Sequence, residues 1–249
     1  MKKLLLLTSA LVALALLPAQ AQFAGQGPKL GGGMDKLFGA NQTFSAQTEF
    51  QTTLPSGNVI MPGKISFDTG KSRFEMNLGD VQGSQMPASV VQQMKSMGMD
   101  VMIAISRPDL KLGFLIYPGL KSYAQMPSPE TSGSLNPDDY QVAISDLGKD
   151  AVDGHDCAKR KAVVTDKAGN THEYTVWNAS DLKDFPVKIV TSGGGMSVTM
   201  LFKNISFTKP AAGDFEVPAT FTKYTDVQTM VQTEAAKKMA AGAPPTAPH

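Results

Sequence analysis

The chain has 249 residues, with 23 Lys and Arg against 22 Asp and Glu, a net charge of +1 and a single Cys. A balance this close to neutral argues against nucleic acid and against strong electrostatic membrane attachment. One Cys forms no internal disulfide, so the fold must rest on an apolar core, and the length is within reach of one β-rich domain.

Met1-Lys2-Lys3, an apolar run from Leu4 to Leu17 and the small-residue site Ala19-Gln20-Ala21 read as a secretory signal cleaved after Ala21. The run is about 14 residues and falls short of the ~20 that span a bilayer. Loss of Lys2 and Lys3 takes the formal charge from +1 to −1. The mature chain is therefore expected in the periplasm or secreted, without stable membrane insertion. Gln22 to Ala40, with Gly31-Gly32-Gly33 at its centre, reads as a flexible leader that buries little. Residues 41–241 read as one β-rich domain and 242–249 as a disordered tail.

From Asn41 the apolar residues alternate. Phe44, Ala46 and Phe50 share one face, and after the Pro55-Ser56-Gly57 turn Val59, Met61, Ile65 and Phe67 do the same. Asp68-Thr69-Gly70 turns the chain into a third strand carrying Phe74 and Met76. Strands this close in sequence form an antiparallel meander. The period then changes: Pro87 suits a first helical turn, Val90, Val91, Met94 and Met97 form one stripe, and Gly98 is placed to end the helix. Met99 to Ile105, Leu110 to Ile116 and a short strand at Lys121-Ser122-Tyr123 follow. The Pro-rich stretch from Met126 to Asp139 reads as a loop. Strands are predicted at 142–147, 157–165, 172–177, 187–190 and 196–207, with one helical turn at Ser180 to Lys183 and an extended arm from Phe215 to Phe221. Thr225 with Gln228 resembles a capping box that opens a terminal amphipathic helix. About ten strands without β-α-β alternation predict a mainly β fold: a curved antiparallel sheet with helices on its concave face and an apolar cavity between them.

Four stretches carry a family resemblance. They are Gly63-Lys64-Ile65 with Arg73-Phe74-Glu75; Arg107-Pro108-Asp109 with Tyr117-Pro118 and Lys121-Ser122-Tyr123; Leu147-Gly148 with Val152-Asp153-Gly154 and Cys157; and Trp177 with Asp181-Leu182 and Pro186. Together they resemble an uncharacterised bacterial exported family, a domain of unknown function. That family is similar in turn to periplasmic lipoprotein carriers and receptors of the LolA/LolB type. The resemblance implies a half-open β-barrel with a helical lid and an acyl-chain pocket, and brings no catalytic residue. Arg73 is carried over as a strand Arg near the pocket mouth.

His155-Asp156-Cys157 invites a nucleophile reading, but a Cys nucleophile wants a base oriented by a third group, which the sequence does not supply. A zinc site from His155, His172 and Cys157 matches no ligand spacing. Met86, Met94, Met97, Met99 and Met102 could hold Cu(I) through soft thioethers, yet Met is also a deformable apolar lining, the reading favoured here. Trp177, Phe185 and Pro186 read as packing between sheet and turn. The chain is thus expected to be a monomeric, non-enzymatic binding or carrier protein without cofactor or metal. Its cargo would be a lipid or the acyl chain of a lipoprotein, touched by Met94, Met97, Val90, Arg73 and Phe114. The alternative is an envelope module whose cavity is simply core. Gly83 and Gly98 flank the helix and are read as hinges of a moving lid.

Overall fold

The alternating segments become twelve strands in one curved, unclosed sheet. The computed structural model describes residues 33–54, 57–83, 87–127, 140–193 and 196–241. The strands are β1 Thr43–Leu54, β2 Gly57–Asp68, β3 Lys71–Asn77, β4 Val101–Arg107, β5 Leu112–Tyr117 and β6 Ser122–Pro127, then β7 Gln141–Val152, β8 His155–Thr165, β9 Thr171–Ala179, β10 Phe185–Gly193, β11 Met196–Ser206 and β12 Thr222–Tyr224. The helices are α1 Ala88–Met97 and α2 Val227–Ala241. The sheet order is β12-β6-β5-β4-β3-β2-β1-β11-β10-β9-β8-β7. Two antiparallel meanders, β1 to β6 and β7 to β11, are thus joined by the β1–β11 pair. Among the described residues the one departure from antiparallel pairing is β12, which lies parallel to β6. Among the described residues no helix is long and apolar enough to cross a membrane.

The period-two pattern decides which side of the sheet is the core. Phe44, Ala46 and Phe50 of β1, Ile65 and Phe67 of β2, Phe74 and Met76 of β3, and Met200 and Phe202 of β11 are buried on the concave side. Met94 of α1 and Met230 and Val231 of α2 join the same cluster.

β4 and β5 differ because their sequences are apolar on both faces. Met102, Leu115 and Tyr117 face the concave core, while Ile103, Ile105 and Ile116 form a second cluster on the convex side. The arm after β11 covers that second cluster: Phe215 is 1% exposed, with Val217 and Phe221 beside it. Arg107 fastens the arm. Its guanidinium donates to Asp109 at 2.8 and 2.9 Å, to the Phe215 carbonyl at 3.4 Å and to Glu216.

Two sequence expectations need correction here. The end of the expected leader is part of the core: Met34–Phe38 is a 3-10 helix, and the Phe38 ring lies 4.8 Å from Phe44 and 5.6 Å from Phe185 and Phe202. Three apolar residues in five outweigh the glycines around them. The terminal helix is capped by Asp226, whose carboxylate accepts from Thr229 N at 2.7 Å, rather than by a Thr225–Gln228 box. The signal, residues 22–32, most of the 126–139 loop and the 242–249 tail lie outside the described residues.

Candidate functional site

The candidate site is the apolar concave side beneath α1. Helix α1 starts with Pro87 at its N-cap and ends at Gly98 in the left-handed conformation (φ 73°). Met94 is buried and Val90 and Met97 are half-buried against the same cluster. Met61, Met76, Met102, Met126 and Met200 add thioethers from five strands. Thr48 is 2% exposed on this side, and its hydroxyl has no hydrogen-bond partner among the described residues. Tyr117 is also buried here, and burial pushes its phenol up to about 12.

The second helix closes the same side. Lys238 Nζ of α2 reaches the Ser96 carbonyl of α1 at 3.5 Å. Glu234 of α2 is buried and accepts from the Tyr224 hydroxyl at 2.6 Å and from Lys237 at 2.8 Å. Burial opposes its charge, but the bonds from Lys237 and Tyr224 outweigh burial and hold the carboxyl below its ordinary value. The sequence reading places helices on the concave face but names no residue of α2 at the site. Its local signal is the apolar set Val227, Met230 and Val231 at the start of the helix.

The expected ligand residues divide between the two faces. Val90, Met94 and Met97 are together on the concave side. Phe114 is not with them: it packs against the convex cluster, 6.0 Å from the Tyr123 ring. Arg73 also points to the convex side, where it bonds Glu75 at 2.6 Å. Both corrections have one cause. Strand side chains alternate, and the neighbours Leu115 and Phe74 take the concave side.

The convex side carries a polar groove of about 380 Å³. Glu75, Lys64, Gln47 and Lys203 stand opposite one another in register across β3, β2, β1 and β11. Lys203 bonds Glu49 at 2.8 Å, which lifts its ammonium above the ordinary value.

A glycine pins the C-terminal end of α1, and another lies in a bend before it. A Cβ on Gly98 would sit 2.6 Å from the Gly119 carbonyl oxygen, and one on Gly83 would sit 1.9 Å from that of Asn58. These positions are close backbone contacts, not the free hinges expected from sequence.

The Cys157 surroundings do not suit a nucleophile. The thiol is 3% exposed, and its sulfur faces the His155 carbonyl at 3.4 Å. Burial, then the carboxylates of Asp181, Asp150 and Asp156, push the thiol up, away from the thiolate. The His155 ring pairs with Asp181 at 2.7 Å, an orienting partner that lies 26 residues away in sequence. His172 stands opposite Val164 and Cys157 opposite Ala179. That separation along β8 is about 23 Å, too far for a shared metal. Among the described residues no three His, Cys, Asp or Glu side chains are grouped to hold one. Trp177 is buried, with its indole N–H donating to Asp150 at 2.9 Å and the ammonium groups of Lys188 and Lys159 at 4.4 and 5.1 Å from its ring.

No family model matches the chain, and no curated protein matches it. Solved structures similar to it include a LolA superfamily protein from Nitrosomonas europaea, at 10% identity and TM-score 0.38, covering 74% of this chain and 94% of that one. LprF from Mycobacterium bovis is similar at 14% identity and TM-score 0.40, covering 76% of this chain and 95% of that one. The lipoprotein LppX from Mycobacterium tuberculosis is similar at 13% identity and TM-score 0.40, covering 82% of this chain and 99% of that one.

Proposed function

We propose that this chain is an exported, non-enzymatic binding protein that holds an acyl chain or a similar apolar body between the concave side of its sheet and helix α1. The observation that carries the reading is the methionine lining: Met61, Met76, Met94, Met97, Met102 and Met200 all belong to or pack on the concave cluster. Unbranched, polarizable thioethers fill irregular space and adapt to varied apolar shapes. An aliphatic chain needs no directional partner, and the glycine contacts hold α1 over this lining. Val90, Met94 and Met97 are the residues proposed to touch the ligand. Arg73 and Phe114 face the other side and drop out of the set.

The test is equilibrium binding of a fluorescent fatty-acid probe to wild type and to Met94→Gln with Met97→Gln. The expected result is affinity lower by about tenfold, a loss of roughly 1.4 kcal/mol. Met94 is 4% exposed, so the double variant also loses stability. Met97→Gln alone changes a half-buried position and serves as the milder variant. Unchanged probe affinity in folded variants overturns the proposal.

A further inference from the structure

Strand β7 ends the sheet. It pairs with β8 on one side, and no described strand pairs with its other edge. The strand is 12 residues long and exposed along almost its whole length. Four large apolar side chains stand out as exposed on the described surface, and two of them belong to β7: Ile144 at 63% and Leu147 at 49%. The opposite edge is the three-residue β12, with α2 packed beside it. A long open edge is a template for another strand, and proteins ordinarily shorten, cover or charge it.

The sequence of β7 is complementary to itself. In an antiparallel pair of two copies about a twofold axis between Leu147 and Gly148, Asp146 stands opposite Lys149 and Ile144 opposite Ala151. Leu147 stands opposite Gly148, and each pairing occurs twice. Opposite charges and large-against-small apolar pairs are the stabilising cross-strand combinations. The side chains also project correctly. In the ladder with β8, Ile144, Asp146, Lys149 and Ala151 stand opposite Ala162, Arg160, Ala158 and Asp156, which alternate by two. They therefore share one face, even though an extra residue enters β7 between Asp146 and Lys149. That bulge falls on the twofold axis, so both copies carry it at the same place and their spacing matches. A slip of one residue toward Val152 would set Asp146 against Asp150. Neither Asp146 nor Lys149 has an ion-pair partner among the described residues, and Asp146 is engaged locally with Gly148 N at 2.7 Å.

We infer that β7 is the pairing surface for a second copy of this chain, joined edge to edge in this register. Self-complementarity of one strand is the mark of an isologous interface. A monomer, the state expected from the sequence, leaves the edge without a partner strand among the described residues.

Sedimentation velocity of the full chain across the micromolar range tests the inference. The wild type dimerises, and Lys149→Asp and Asp146→Lys each raise the dissociation constant about tenfold or more, because each sets like charges together twice. The double exchange D146K with K149D restores the dimer, and an equimolar mixture of the two single variants forms a heterodimer. Lys149→Asp leaves the Asp146–Gly148 contact intact, and thermal melting checks that each variant is folded. A wild type that stays monomeric, or a dimer indifferent to these reversals, overturns the inference, and so does failure of the double exchange to restore it.

Discussion

At the scale of single residues, burial decides what each candidate can do. Cys157 and His155 are two apart on β8 and look like a nucleophile and base in sequence, yet the sulfur meets a carbonyl and the imidazole meets Asp181. A thiol whose ionisation is opposed by burial and by three carboxylates acts as a small apolar side chain. Cys157→Ser is expected to leave probe binding unchanged and to lower stability by about 1 kcal/mol, since it buries a hydroxyl in place of a thiol. Denaturant unfolding and probe titration on the same sample check both parts. That Trp177 is a buried packing residue was legible in the sequence. Its bond to Asp150 was not, because Asp150 lies 27 residues away and is brought near only by the β7-β8-β9 pairing.

At the scale of elements, helix α1 was legible almost to the residue. Pro87, the stripe of Val90, Met94 and Met97, and Gly98 each have a local physical role. What the glycines do was misread. A glycine required for positive φ and one required for close approach look the same in sequence, and here Gly98 is both, packed against the Gly119 carbonyl. Gly98→Ala is expected to destabilise by roughly 1–3 kcal/mol through a strained φ and displacement of that carbonyl. It is also expected to weaken fatty-acid probe binding, since the end of α1 must lift from the Pro118–Leu120 turn. Thermal unfolding together with hydrogen exchange in residues 88–97 measures both effects. β12 and the arm that precedes it show the complementary case. Phe215, Val217 and Phe221 read as an arm, but their target on β4 and β5 is a contact between distant segments.

At the scale of the whole molecule, one aromatic cluster spans the junction of the two meanders. Phe38, Phe44, Phe67, Phe185 and Phe202 come from the 3-10 helix before β1 and from β1, β2, β10 and β11. Phe38→Ala is expected to cost roughly 3–5 kcal/mol, because it opens a cavity where both meanders meet. Urea unfolding monitored by circular dichroism measures it, and a loss well below 1 kcal/mol would place the cluster outside the cooperative core. The sequence by itself determined the mainly β class, the antiparallel meanders, the position of α1 and the terminal helix. Those features follow from local period, turn residues and caps, which are properties of neighbours along the chain. Only the tertiary structure decided the β1–β11 junction, which face of β5 carries Phe114, and the docking of Met34–Phe38. The same holds for the meeting of α1 and α2 over the methionines. Each of these depends on which of two alternating faces the sheet buries when it curves, and β4 and β5 are apolar on both, so periodicity leaves that choice to packing between distant segments.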